Sequence, residues 1–443
     1  MKIRMCLMMM FALLAGKHHA AARTAFAPAI NYPGAGGVSV VAADVNGDGK
    51  VDLICASFDQ GTLTIYTNDA SGGFAVASSL IVGYSLSWVT AADFNGDGKP
   101  DLIYAYRYAN AVSVLTNGGT GNFVLASSQT VDVWPISVVA ADVTGHGFMD
   151  LITANANNNS DTISVLTNDG KGGLLLSSNY NVGYFPTSVT AADVNGDGRM
   201  DLICARWDNH LLVFTNNGMG GFAVSSTPVV GANPVSVVAA DVNGDGRMDL
   251  ITANLWDNTL SVLTNDGSGG FTLAASPSVG VNPYSVAAAD VNGDGRLDLI
   301  SANDSDGTLT VLTNDGAGGF VIATNITVSS GPDSLVVADV DGDGRLDLIS
   351  ANIDHGISVV LNKSTFPPPG IPPKLTLSNS GKNLVVSWPS ASAGWSLQQT
   401  PALNPSSWAP AGYSGYGIAN DGTNKSLTIP ASQGNQFFRL LHP

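Results

Sequence analysis

Ala240-Asp241-Val242-Asn243-Gly244-Asp245-Gly246-Arg247-Met248-Asp249-Leu250 is one of seven versions of a single phrase in this 443-residue chain. The first aspartate of the phrase falls at Asp44, Asp93, Asp142, Asp193, Asp241, Asp290 and Asp339, in steps of 49, 49, 51, 48, 49 and 49 residues. A fixed period of this length marks a repeat architecture, in which each unit buries its apolar face against its neighbours. Around the phrase, alternation and turn residues divide the fifth copy into four strands, Ser236–Val242, Asp249–Ala253, Leu260–Thr264 and Phe271–Ser276. Asn265-Asp266-Gly267-Ser268-Gly269-Gly270 joins the last two as a glycine-rich hairpin loop. Four short antiparallel strands per repeat make a propeller blade, and seven blades close a ring. Nothing has a helical period, which excludes a helical solenoid. The expected fold is all-β, a seven-bladed β-propeller of four-stranded blades. The residue before each leading aspartate is alanine in every copy, Ala43 to Ala338, as crowding of the first strands at an axis requires.

The flanks supply the domain plan. Six copies continue into a fourth strand opening with Phe74, Phe123, Leu174, Phe222, Phe271 or Phe320, whereas the seventh stops at Leu361-Asn362. Phe26 stands 18 residues before Asp44, so Thr24–Ile30 is expected to supply the missing strand and cover a free sheet edge. Residues 1–22 read as a Sec-type bacterial signal peptide, with Lys2 and Arg4 ahead of an apolar run and small residues at Ala20-Ala21-Ala22. Residues 24–362 are then the propeller and 363–373 a stiff proline-rich linker. Residues 374–443 read as a small β-sandwich of fibronectin-like size, with strand-like runs at Leu384–Trp388, Trp395–Gln399, Ser426–Ile429 and Phe437–Leu441. Of the three cysteines, Cys6 leaves with the leader. Cys55 and Cys204 hold one repeat position three blades apart and are expected as buried, unbridged thiols.

The nine-residue loop Asp-x-Asn-Gly-Asp-Gly-x-x-Asp has the chemistry of a hard-cation site. Calcium takes six to eight oxygen ligands from a flexible chain. Positions 1, 3, 5 and 9 offer side-chain oxygens, position 7 a backbone carbonyl, and the glycines at 4 and 6 permit the tight wrap. Five copies are complete: Asp44, Asn46, Asp48, Lys50, Asp52; Asp93, Asn95, Asp97, Lys99, Asp101; Asp193, Asn195, Asp197, Arg199, Asp201; Asp241, Asn243, Asp245, Arg247, Asp249; and Asp290, Asn292, Asp294, Arg296, Asp298. The seventh, Asp339, Asp341, Asp343, Arg345, Asp347, adds a carboxylate, and the third is degraded to Asp142, Thr144, His146 and Asp150. These loops hold 21 of the 35 acidic residues, a density of like charge that a bound cation would neutralise. About six Ca²⁺ are expected, one for each loop other than the third.

With its loop between two strands and no flanking helix, the repeat resembles the FG-GAP/VCBS-type family, the calcium-binding propeller of integrin α-chains and of many secreted bacterial proteins. The resemblance covers residues 24–362 and implies calcium in the loops. The literal Phe-Gly…Gly-Ala-Pro phrase is absent, with Gly-Gly-Phe near its place, so integrin-type adhesion does not carry over with it.

Function is expected on the other face. Loops joining strands one to two and three to four share one end of each blade, and the remaining loops share the opposite end. That second end gathers Phe58, Trp207 and Trp256 from the two-to-three turns, and Tyr84, Trp134, Phe185 and Tyr284 from the connections between blades. Aromatic rings beside amides and acids suit sugar stacking or peptide anchoring. The net charge of −17 and the absence of a basic stripe exclude nucleic acid, and the apolar leader run is too short to insert in a membrane. Histidines lack triad or zinc spacing, and no acid pair stands out as a glycosidase pair. The reading is a secreted or cell-surface calcium-binding monomer acting as a non-catalytic module for an extracellular glycan or protein. Its alternatives are a polysaccharide lyase or glycosidase on the same scaffold, or a structural surface component.

Overall fold

The computed structural model describes residues 24–156, 161–218 and 220–364, together with the strands beyond Thr376. The leader, the linker residues 365–373 and Cys6 lie outside the described residues. No helix occurs among the described residues, and seven four-stranded antiparallel sheets follow one another as the blades of a β-propeller. In the fifth blade the strands are Pro234–Ala240, Asp249–Asn254, Thr259–Asn265 and Phe271–Ala275. The first strand thus begins and ends two residues earlier than the Ser236–Val242 expected from alternation. Pro234 opens it across from Asn254 with a bulge before Ser236, and the chain leaves the ladder once Ala240 has paired with Asp249.

The N-terminal segment closes the ring. Ile30–Tyr32 pairs antiparallel with Gly356–Val360, the third strand of the seventh blade, whose first two strands are Pro332–Ala338 and Asp347–Asn352. The regular ladder sits later than the expected Thr24–Ile30, of which only a bridge from Phe26 to Asn362 and Ile30 itself pair. Proline explains the difference. Phe74 pairs with Asn68 in the first blade as Phe26 does with Asn362 here, but Pro28 stands where Val76 pairs with Tyr66. Having no N–H, Pro28 interrupts the ladder there, and the strand resumes in the same register two residues on.

Two belts of side-chain hydrogen bonds stitch the blades. Near the axis, the serine third in the first strand accepts from a backbone N–H of the next blade, as Ser236 does from Val286 and Ser285 from Leu335. The belt crosses the closure, where Ser334 accepts from Val40. It fails once, at the joint between the second and third blades, where Trp88 replaces the serine and Ser87 instead donates to the Pro135 carbonyl at 2.6 Å. Further out, the asparagine ending each third strand donates its amide to a carbonyl in the preceding blade. Asn117 reaches Val45, Asn265 reaches Val194 and Asn68 reaches Val340, each at 2.8 Å. Buried amides with every group paired fix a unique geometry.

The core consists of apolar side chains pressed between adjacent blades, such as Val242, Ile251, Leu260, Val286 and Leu299 between the fifth and sixth. Cys55 and Cys204 are buried free thiols, as expected from their positions, and burial pushes both up to about 12. Beyond Thr376 the strands form two antiparallel sheets. One orders Thr376–Ser380, Asn383–Pro389, Asn424–Pro430 and Ile418–Asn420, and the other Ala409–Pro410, Ser396–Thr400 and Phe437–Leu441.

Candidate functional site

Each loop of the repeated phrase wraps around its own carboxylates. In the first blade Asp44 accepts from the N–H groups of Gly47 and Gly49 at 2.8 Å each, Asn46 from Asp48, and Asp48 from Lys50. Both glycines have positive φ, 78° and 82°, which allows the chain to turn its amides inward. The aspartate at position 9 is fully buried in all seven blades. Its two oxygens accept backbone N–H groups from two directions. Asp249 takes Val242 within the loop at 3.2 Å and Asn265 at the end of the third strand at 2.9 Å. This residue therefore ties the loop to the asparagine belt as well as offering oxygen to a cation, a double role that the loop pattern alone does not reveal.

At position 7 the side chains of Lys50, Lys99, Arg199, Arg247, Arg296 and Arg345 turn back to the position 5 carboxylates Asp48, Asp97, Asp197, Asp245, Asp294 and Asp343. They also cover the neighbouring hairpin loop. Gly267 in that loop has φ +83°, a conformation that requires glycine, and it lies beneath the Arg247 side chain. Asp93, Asp193 and Asp290 hold their loops as Asp44 does, and Asn95, Asn195, Asn243 and Asn292 repeat the turn of Asn46.

The donor set fits a hard cation. It is all oxygen, and burial raises the position 9 carboxylates Asp52, Asp101 and Asp201 above their ordinary range, with the other loop acids pushing the same way. Burial carries Asp298 to about 7 and Asp347 to about 6, although backbone N–H groups pull both down. A cation beside these buried carboxylates would favour their ionised forms. Among the described residues, Asp339, Asp341 and Asp347 bring three ligand oxygens within 4.8 Å of one another. The extra carboxylate of this seventh loop, Asp341, pairs with Lys363 at 2.8 Å. The third loop keeps the wrap, with Asp142 accepting from Gly145 and Gly147 at 2.7 Å. Thr144 there donates its hydroxyl to Asp150 at 2.7 Å, and His146 points to solvent without supplying the missing charge.

At the other end of the axis, every blade contributes the second residue of its first strand to one cavity of about 350 Å³. These residues are Val38, Ser87, Ile136, Thr187, Val235, Tyr284 and Asp333, and Phe58, Trp88, Arg107, Phe185 and Trp207 complete the walls. Around the mouth the rings form two groups. Phe58, Tyr108 and Trp134 meet edge to face at centroid separations of 6.0 and 6.2 Å, with Arg107 4.9 Å over the Trp134 ring. Phe185 stacks on Trp207 at 4.2 Å. Trp134 and Phe185 have positive φ, which turns them into these groups where an extended backbone would not. Trp207, Trp256, Tyr84 and Tyr284 are exposed, whereas Phe58, Trp134 and Phe185 are half-buried.

The FG-GAP-like repeat pattern matches this chain six times in overlapping spans, 44–104, 93–153, 142–204, 193–252, 249–301 and 290–350. The chain belongs to the FG-GAP-like repeat family. Among solved structures, BBS1N crystallised in complex with ARL6DN is similar over 78% of this chain and 98% of its own, at 16% identity and a TM-score of 0.57. A functionally unknown protein from Desulfotomaculum acetoxidans DSM 771 is similar over 69% of this chain and 98% of its own, at 12% identity and a TM-score of 0.51. At these identities the likeness is one of fold. No curated protein matches the chain.

Of the seven aromatic residues expected to face a ligand in this FG-GAP propeller, Phe58, Phe185, Trp207 and Tyr284 line the cavity, whereas Tyr84, Trp134 and Trp256 do not. Sequence reading missed Trp88 and Asp333. The signal lies in a column of the repeat, Pro-x-Ser, whose middle residue varies while its neighbours stay nearly constant. Asp333 makes no hydrogen bond, and its Oδ1 is buried without a partner. Burial and the charge of Asp304 push it up to about 7. Because its folded-state pKa lies above the unfolded value, its ionisation opposes folding progressively from about pH 4 to about pH 7. Asp333→Asn is therefore expected to be more stable than the parent, with the gap wider at pH 8 than at pH 5 by about 1–2 kcal/mol after solvent screening. Urea unfolding of both proteins at the two pH values checks this, and an equal gap would contradict it.

Proposed function

We propose that this chain is a secreted, calcium-loaded, non-catalytic binding module that recognises an extracellular glycan or protein through the face opposite its acidic loops. The observation that carries the reading is the convergence, around one axial cavity, of aromatic rings from several blades with charged groups, Arg107 and Asp333, that each bury a polar atom without a hydrogen bond. Such a surface is costly to leave in water and suits a ligand with both apolar and polar faces. BBS1N, which shares the fold, was crystallised in complex with ARL6DN, in keeping with recognition of macromolecules on this scaffold. Calcium in six loops serves this function by holding the blades, and secretion follows from the leader at residues 1–22. Glycan and protein arrays probed with the full chain in millimolar calcium test the reading. Binding is expected, and Trp207→Ala and Trp256→Ala should weaken it by about tenfold each, the effect of losing a stacked ring. Silence on both arrays would refute it.

A further inference from the structure

The axial cavity differs from the surface around it in holding two charged groups that the protein itself leaves unanswered. The Asp333 side chain has no hydrogen bond, and its Oδ1 is buried. Arg107, which only donates, has a buried Nε without a partner and meets only the face of Trp134. Buried polar atoms are nearly always paired, so two exceptions lining one cavity need an explanation. Six blades place an uncharged residue at the ring position that Asp333 occupies in the seventh. The carboxylate is thus not demanded by the repeat, and the fold would close as well with Val or Ile there.

The pair restricts what could fill the space. A simple cation would answer Asp333 but meet the guanidinium of Arg107, and a simple anion would do the reverse. A purely apolar ligand would leave both charges desolvated. A neutral polyhydroxyl ring answers both, because its hydroxyls donate to a carboxylate and accept from a guanidinium. Its C–H face packs on Phe185, Trp207 or Tyr284. The volume of about 350 Å³ lies near the lower bound for small-molecule sites, room for one ring and little more.

Resting on the proposed role of this face, we propose that the axial cavity holds one terminal, uncharged pyranose residue of a glycan, with Asp333 and Arg107 as its polar anchors. The test is calorimetric titration of the full chain, in calcium, with methyl glycosides of neutral hexoses, their uronic acid and amino-sugar counterparts, and free α-amino acids. At least one neutral glycoside should bind. Its Kd should rise about tenfold or more in Asp333→Asn and in Arg107→Met, the effect of losing a hydrogen bond to a charged group. Thermal melts establish that both variants are folded, and Asp333→Asn is the decisive one because it retains shape. Preference for a charged sugar or an α-amino acid overturns the assignment, as does neutral-sugar binding of equal affinity in parent and both variants. Array binding that Trp256→Ala weakens and Asp333→Asn does not would leave the face as a binding surface and remove the cavity from it. Silent arrays would remove both.

Discussion

Stripping divalent cations with EDTA is expected to lower the melting temperature of this protein by about 15 °C, an effect that millimolar calcium reverses. Extracellular calcium modules bind with Kd near about 10⁻⁴–10⁻³ M. At a tenfold excess over Kd, each occupied site stabilises the folded state by about 1.4 kcal/mol, so six together contribute about 8 kcal/mol. For a domain of this size each kcal/mol moves the midpoint by about 2 °C. The effect is large because the charge is concentrated: burial, with neighbouring loop acids adding to it, puts the ionised forms of the position 9 carboxylates Asp298 and Asp347 at a disadvantage. The third loop is the internal control. It keeps the same backbone wrap with a poorer donor set, histidine standing at position 5. Installing Thr144→Asn with His146→Asp should raise the bound calcium by one ion per chain and lift the melting point in calcium but not in EDTA. Metal analysis at equilibrium settles the count, and fewer than three ions per parent chain would sink the cation reading.

Deleting residues 24–32 should be more damaging still. The segment contributes the Ile30–Tyr32 ladder, the Phe26 bridge, the Ala27 N–H to Leu361 and the Asn31 side chain that accepts from Ser358 at 2.7 Å. Phe26 and Ala29 also pack against the core between the sixth and seventh blades. Losing these contacts at once is expected to remove about 5 kcal/mol or more, comparable with the whole stability of many domains. It would also bare the edge of Gly356–Val360, an apolar strand ready to pair with another chain. The deletion should therefore yield aggregated protein or one melting far below the parent. A permuted chain that carries 24–32 after Asn362 through a short glycine-serine linker should recover most of the difference. Recovery failing while the deletion itself melts normally would show that the ring does not need this strand.

The sequence made the architecture legible because each feature is stated seven times. Chance matches at one loop are common, but a buried aspartate followed by Leu and Ile at a near-constant interval leaves few alternatives to a blade. Legibility failed where a residue's role depends on its counterparts elsewhere in the ring. Asp333 looks ordinary until the second residues of the seven first strands are brought around one axis. The position 9 aspartates look like ligands alone because their second task, accepting the N–H of a distant asparagine, crosses from loop to third strand. The placement of Trp134 and Phe185 depended on left-handed backbone that no propensity assigns to a tryptophan or a phenylalanine. Pro28 was visible from the start, yet its meaning as a gap in the closing strand required the register of the other blades.

Trp88 gives the ring a direction. Six joints near the axis carry a serine that accepts from the next blade, and the one between the second and third blades is sewn by Ser87 donating to the Pro135 carbonyl. The ring is therefore fastened all the way round, but with one stitch of opposite polarity, and that odd stitch lies in the wall of the axial cavity. A disc that is nearly symmetric in sequence thus carries a mark that distinguishes one sector from the other six, at the place where a ligand would sit.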